Sequence, residues 1–298
     1  ISVVLFATIA VSMLAAIATQ SVKGHFDFEL GKYLAWYVLP TTVGVVMFAV
    51  LAIFMQVLVP QKALGWLLML LFLVAQITLD RLGFQHNLYQ YASNPGTPLS
   101  DMNGQGDFAR YAWWFRAYWS GAALLLAVLA YALWRRGVGA PLRDRLALLP
   151  KRLSGVAGGL AAASVLAMAI LGGWIFYNTN VLNEYRTTLD VERQQADYEK
   201  ALIGYENVPQ PRITDVTLEV DLYPAEPRVV TRGSYLIQNR TGQPLETVHV
   251  RWLEPLEMTQ LEVEGASLEK DYADHEYRIY RFAQPMAPLE TRRITFET

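Results

Sequence analysis

Residues 154–176 read "SGVAGGLAAASVLAMAILGGWIF" and carry no charged side chain. At about 1.5 Å of helix rise per residue, such a run crosses the roughly 30 Å hydrocarbon core of a bilayer. Four more runs of this kind precede it, at approximately 1–19, 34–58, 63–79 and 117–134. A signal peptide would explain one of them and not five. After Tyr177 the composition turns polar, and from Ile213 apolar residues recur at every second position. The expected fold class is therefore a membrane α-helical bundle over residues 1–177, followed by an all-β domain, an antiparallel sheet or sandwich, over 212–298. Residues 178–211 read as a juxtamembrane helix and linker, with Asp190 and Glu192 near the helix start and Gly204 at its end, before Pro209 and Pro211.

Composition agrees with two bodies in different solvents. Of 298 residues, 53% are hydrophobic, and the mean hydropathy is +0.20, too apolar for an ordinary soluble domain. Residues 1–177 carry 12 Lys or Arg against 6 Asp or Glu, whereas 178–298 carry 13 against 21. Cysteine is absent, which excludes disulfides and thiolate metal sites. The sequence begins inside an apolar run and stops inside an alternating one, so it reads as a piece of a longer protein.

The basic residues set an expected orientation. Between the fourth and fifth runs lie Arg135, Arg136, Arg143, Arg145, Lys151 and Arg152, opposed only by Asp144, the mark of a cytoplasmic connection. Residues 20–33, 80–116 and everything after 177 are then expected outside. Between two spans this cluster suits anionic headgroups or a cytoplasmic partner, not nucleic acid. "LRDRLALLPKRL" would form a short amphipathic helix there. Trp36, Tyr37, Trp66, Trp113, Trp114, Tyr118, Trp119, Trp134, Trp174 and Tyr177 fall near the ends of the runs, where aromatic rings anchor in the headgroup layer. In the fifth run, Gly155 with Gly159 and Ala169 with Gly173 are small residues four apart and are expected to admit a neighbouring helix. No run has an ionisable residue at its centre, so no proton relay is legible.

The outer connection contains "DMNGQGDF", residues 101–108. Asp101, Asn103, Gln105 and Gly106 match the first half of a calcium loop, but Ala112 stands where a bidentate glutamate is needed. The expectation is a compact turn in which Asp101, Asn103 and Asp107 bond local backbone amides, with Gly104 and Gly106 at its bends, packed beside the linker after Tyr177.

Six segments of the outer half read as strands: "ITDVTLEVDL", "RVVTRGSYLIQN", "ETVHVRWL", "TQLEVEG", "EYRIYRF" and "TRRITFE", with "NRTGQP" at 239–244 as a turn. "HEYRI" at 275–279 begins like the zinc motif H-E-x-x-H, but Ile279 replaces the second ligand and the setting reads as a strand. Neither a nucleophile elbow nor a phosphate-cradling loop is present, and "LSGVAGG" at 153–159 opens a span rather than an ATPase signature. No catalytic or metal residue is assigned, no cofactor is expected in this chain, and it is not expected to bind ATP on its own.

The order of parts, with "LSDMNGQGDF", "YNTNVLNEYRT…ADYEKALIGYENVPQPRITDV" and "VDLYPAEPRVVTRGSYLIQNRTGQPLETVHV", resembles a bacterial family in which an ABC-2-type permease is fused to an M1-family, aminopeptidase N-like metallopeptidase. The resemblance implies the last spans of the permease and the start of the M1 amino-terminal β domain, with the zinc-binding helix beyond Thr298. It implies a bacterial inner-membrane location, an oligomer, a separate ABC ATPase on the basic face, and a peptide or protein substrate outside. Two other readings remain open: a metallo-aminopeptidase for which the spans serve only as an anchor, and a non-catalytic membrane assembly platform.

Overall fold

A computed structural model describes residues 2–135, 141–226 and 228–298. Among the described residues, five helical stretches are long and apolar enough to cross a membrane: Val3–Val22, Leu30–Leu58, Lys62–Arg81, Gly106–Leu133 and Val156–Val181. In chain order the helices are α1 (Ser2–Val22), α2 (Leu30–Lys32), α3 (Leu39–Leu58), α4 (Lys62–Arg81), α5 (Gly106–Leu133), α6 (Leu142–Ala147), α7 (Leu149–Arg152), α8 (Val156–Phe176) and α9 (Thr188–Leu202). A π-helical turn, Tyr33–Val38, joins α2 to α3. Pro40 explains it: proline has no N–H, and its ring would crowd the carbonyl four residues back, so the ladder widens and Leu39 N–H reaches Leu34 O.

The fourth span differs most from expectation. Its helix starts at Gly106 rather than near 117, taking in Arg110 and Arg116. No proline or glycine interrupts residues 107–120, and both arginines are accommodated: Arg110 pairs with Asp107 at 3.2 Å, and Arg116 stacks 5.1 Å from the Trp113 ring centre. Arg116 and Arg110 thus extend the helix past its apolar centre instead of ending it.

α5 lies at the middle of the helical unit, against α3 on one side and α8 on the other. Met47 and Leu51 of α3 meet Trp119, Ala122 and Ala123 of α5, with Tyr91 from the connection closing the cluster. The α5–α8 contact does use small residues, though not those expected. A Cβ on Gly121 would stand 3.6 Å from Ser164 O, and one on Gly172 would stand 3.0 Å from the Tyr118 ring. Gly155, Gly159 and Gly173 face open space. The four-residue spacing was right for a helix face, but Tyr118 and Met168 select the face that is used.

The chain divides within α9, into residues up to Glu192 and Arg193–Thr298. The stretch expected as a separate linker is thus shared between the two units. α9 begins with a reciprocal cap: Asp190 N–H bonds Thr187 Oγ1 at 3.2 Å, and Thr187 N–H bonds Asp190 Oδ2 at 3.0 Å.

The second unit has seven strands among the described residues: β1 (Arg212–Tyr223), β2 (Arg228–Gln238), β3 (Leu245–Arg251), β4 (Gln260–Val263), β5 (Ala266–Tyr272), β6 (Tyr277–Met286) and β7 (Thr291–Glu297). They form two antiparallel sheets, ordered β1-β2-β7-β4 and β3-β6-β5. Ile237, Val263 and Ile294 of the first sheet bury against Val248, Tyr280, Phe282 and Met286 of the second. The Tyr280 hydroxyl ties the sheets by donating to Leu261 O at 3.1 Å. β5 is a strand that alternation does not reveal, because "ASLEKDY" is polar and exposed at a sheet edge. β1 is the other notable edge: it pairs with β2 alone in its sheet, and Val216, Leu218, Val220 and Leu222 are all exposed.

Candidate functional site

Three places gather polar side chains. The first is where the C-termini of α3 and α5 meet the segment that holds the expected basic cluster. A helix leaves its last four carbonyls without intrahelical donors. Here arginines supply them. Arg145, 3% exposed, donates from Nη1 to Val57 O at 2.7 Å and to Leu133 O at 2.9 Å, and from Nη2 to Leu58 O at 3.4 Å. Arg152 donates to Ala132 O at 2.6 Å and Trp134 O at 3.2 Å. Arg135 donates to Pro60 O at 3.2 Å and also to Val59 O. Burial, then the neighbouring Arg135 and Arg152, pull the Arg145 guanidinium below its usual range. The cluster expected to face lipid or an ATPase is therefore divided. Arg145 and Arg152 turn inward as caps, Arg143 and Lys151 stay exposed, and Arg136 lies outside the described residues.

The second place is the connection between α4 and α5. "DMNGQGDF" does form a turn, in which Ser100 and Gly104 exchange backbone bonds at 2.8 Å. Its side chains act differently from expectation. The Ser100 hydroxyl accepts Met102 N–H at 3.2 Å, Asn103 contributes its backbone carbonyl to Gly106 N–H, and Asp107 sits in the first turn of α5, paired with Arg110. Gly104, at φ +65, lets the turn close against the Trp36 ring, where a Cβ would approach to 2.7 Å.

The part of the connection that meets the chain after α8 is earlier, at Gly83–Tyr89. Gln85 Oε1 accepts Thr188 N–H at 2.7 Å, and Leu189 packs over Gly83. At its centre is His86, 4% exposed, ringed by Tyr89, Phe115 and Tyr185. Its Nδ1 accepts Leu88 N–H at 3.1 Å, so Nε2 carries the proton and donates to Thr179 Oγ1 at 3.0 Å. A lone histidine gave no sequence signal, because Thr179, which takes its Nε2 proton, lies 93 residues away.

Burial lowers the His86 pKa from 6.5, opposed by hydrogen bonding of the imidazole to the Asn180 side chain. Below 6.5 the unfolded chain takes up a proton that the native one resists. The stabilisation is complete above pH 6.5 and is lost as pH falls through that value towards the lowered native pKa. The melting temperature of the whole chain is expected to fall on acidification across this window, and His86→Gln to flatten the dependence. Equal slopes in both proteins would remove His86 from the account.

The third place is the outer face of the β3-β6-β5 sheet. Thr247 and His249 of β3, Ile279 and Arg281 of β6, and Lys270 of β5 line a cavity of about 310 Å³, with Tyr205, Val208 and Pro209 on its far side. Lys270 Nζ donates to the Tyr205 hydroxyl at 2.9 Å, and that oxygen lies 3.0 Å from the Tyr272 hydroxyl. Lys270, then Tyr272, draw the Tyr205 pKa down. His249 bonds Tyr277 through Nδ1 at 2.6 Å and Thr247 through Nε2 at 3.2 Å, and burial lowers its pKa. Arg281 bridges Glu246 at 3.1 Å and Glu269 at 2.9 Å. This arrangement can hold a polar ligand by hydrogen bonds of both polarities.

His275 is not on a strand, as its setting suggested, but in the 3₁₀ turn before β6, edge-on to Tyr198. Glu276 beside it has φ 48, a turn conformation that starts β6 one residue later than alternation implies. Among the described residues no three His, Asp or Glu side chains gather as a metal site. In comparisons with protein-family models, curated proteins and solved structures, no match to this chain is found.

Proposed function

We propose that this chain is the permease component of an ABC-type transporter of the bacterial inner membrane, carrying an M1-peptidase-like β domain on the outer side. The observation that carries the reading is the count of apolar helices: one suffices to anchor an outer domain, and the described residues hold five. The bias of basic residues in 135–152 supports a cytoplasmic position for the α3 and α5 C-termini. A separate ATPase then docks on Arg143 and Lys151, since Arg145 and Arg152 are engaged with carbonyls. The cavity beside Lys270 and Arg281 is the surface we assign to a peptide or protein ligand outside.

The test is recovery of partners with the tagged chain from its own membranes. A nucleotide-hydrolysing subunit is expected in the eluate and is expected to be lost in Arg143→Glu with Lys151→Glu. Recovery unchanged by that pair would remove the docking surface, and no ATPase at all would leave the spans as an anchor. Orientation is checked separately. A cysteine at exposed Ser154 should resist an impermeant thiol reagent in intact cells, and one at exposed Ser267 should react once the outer membrane is opened. The reverse labelling would overturn the orientation.

A further inference from the structure

Where the α3 and α5 C-termini meet the start of α4, residues of all three elements line a cavity of about 710 Å³. Its walls are mostly apolar, formed by Ala52, Ile53 and Met69 among others with Gln56 and Gln61 between them, and they belong to two helices apolar enough to face lipid. Lys62 and Arg135 line its polar end, both exposed. Two indoles accompany them: Trp66 is 74% exposed and Trp134 54%, so neither is spent on packing the core. Arg135 is held in place by Val59 and Pro60 carbonyls, which fix its guanidinium without neutralising it. Near it stand Arg145 and Arg152, and the entire 135–152 segment has a single carboxylate, Asp144.

We infer that this cleft binds an anionic phospholipid, with an acyl chain between α3 and α4 and its phosphate at Lys62 and Arg135. Each part of such a lipid meets its match: hydrocarbon against the apolar walls, the interfacial layer against Trp66 and Trp134, and negative charge against cations. A helix from a second copy fits less well. It would fill the apolar volume but bring a single carboxylate among many cations, because residues 56–64 and 131–157 contain no acidic residue except Asp144. A zwitterionic lipid would leave the net positive charge uncompensated. The inference needs only that the helices lie in a bilayer, so it stands or falls independently of ATP-driven transport.

The experiment uses the full chain reconstituted in phosphatidylcholine bilayers, with a minor fraction of lipid replaced by a form brominated on its acyl chains. Bromine quenches nearby tryptophan, and the difference between the native protein and Trp66→Phe with Trp134→Phe isolates the two indoles. Brominated phosphatidylglycerol is expected to quench that signal more than brominated phosphatidylcholine, with a local enrichment of about fivefold per basic residue engaged. Lys62→Gln, at an exposed position, is expected to reduce the preference. Ala52→Phe, which fills the cleft and keeps both cations, is expected to abolish the close quenching. Equal quenching by the two lipids overturns the inference. So does the absence of quenching by either, as a seated helix would give, and so does a preference that survives both substitutions.

Discussion

Replacing Arg145 by alanine is expected to lower the melting temperature of the purified protein by about 10 °C, from a loss of about 3–5 kcal/mol. One guanidinium serves carbonyls at the ends of two different helices, Val57 and Leu58 on α3 and Leu133 on α5. Removing it leaves buried acceptors without donors, at about 1–3 kcal/mol each. Arg145→Lys should recover little, since an ammonium lacks the planar fork that reaches both helix ends. Arg143 provides the control: it is exposed, and Arg143→Ala should change stability by no more than about 0.5 kcal/mol. Thermal unfolding followed by tryptophan fluorescence measures all three. Equal melting of the Arg145 and Arg143 variants would show that the inward bonds contribute nothing.

Asn239→Ala is expected to cost the β unit about 3–5 kcal/mol, by the same logic of buried groups left unpaired. Asn239 is 0% exposed, and its amide is fully used. Nδ2 donates to Gln243 O at 2.7 Å and Met286 O at 2.8 Å, while Oδ1 accepts Thr241 N–H at 3.0 Å and the Thr241 hydroxyl at 2.7 Å. The side chain thus ties the turn after β2 to the end of β6. Asn239→Asp is the informative variant: it keeps the two acceptances, lacks both donations, and should be at least as damaging as alanine. Protease cleavage between β2 and β3, followed against denaturant, reads the loss. An Asn239→Asp variant as resistant as the native protein would show that the donations do not matter.

The long apolar helices were legible because hydropathy needs no partner. Their ends were less so, and Gly106–Trp119 shows why. Arg110 and Arg116 look like loop residues until Asp107 and the Trp113 ring are placed beside them. The expected basic cluster illustrates a different limit. Sequence counts charges, and on that count Arg143 and Arg145 are equivalent. Direction separates them, because the carbonyls that capture Arg145 come from residues 57, 58 and 133. His86 was invisible for the same reason, its surroundings arriving from Thr179 and Tyr185. The "NRTGQP" turn was readable, since Asn239 accepts from Thr241 two residues on and Gly242 takes a positive φ, whereas the Asn239 bond to Met286 O was not. In the second unit, the six alternating segments coincide with strands, and the missed β5 is the one whose side chains give no alternation to read.

The outermost strand of the larger sheet bears on how this protein can be handled. Among the described residues β1 pairs on one edge only, and on one face it carries four consecutive alternate side chains of oil: Val216, Leu218, Val220 and Leu222. The other face carries Asp215 and Glu219, whose like charges resist in-register self-stacking, and Asp221, which is paired with Arg232 at 3.3 Å. That protection is electrostatic and therefore conditional. Acid or high salt weakens it, and a β unit cut free of its helices would then recruit further copies along β1, turning a soluble fragment into fibrous precipitate. Neutral pH and low ionic strength are accordingly the conditions in which the separated unit stays dispersed.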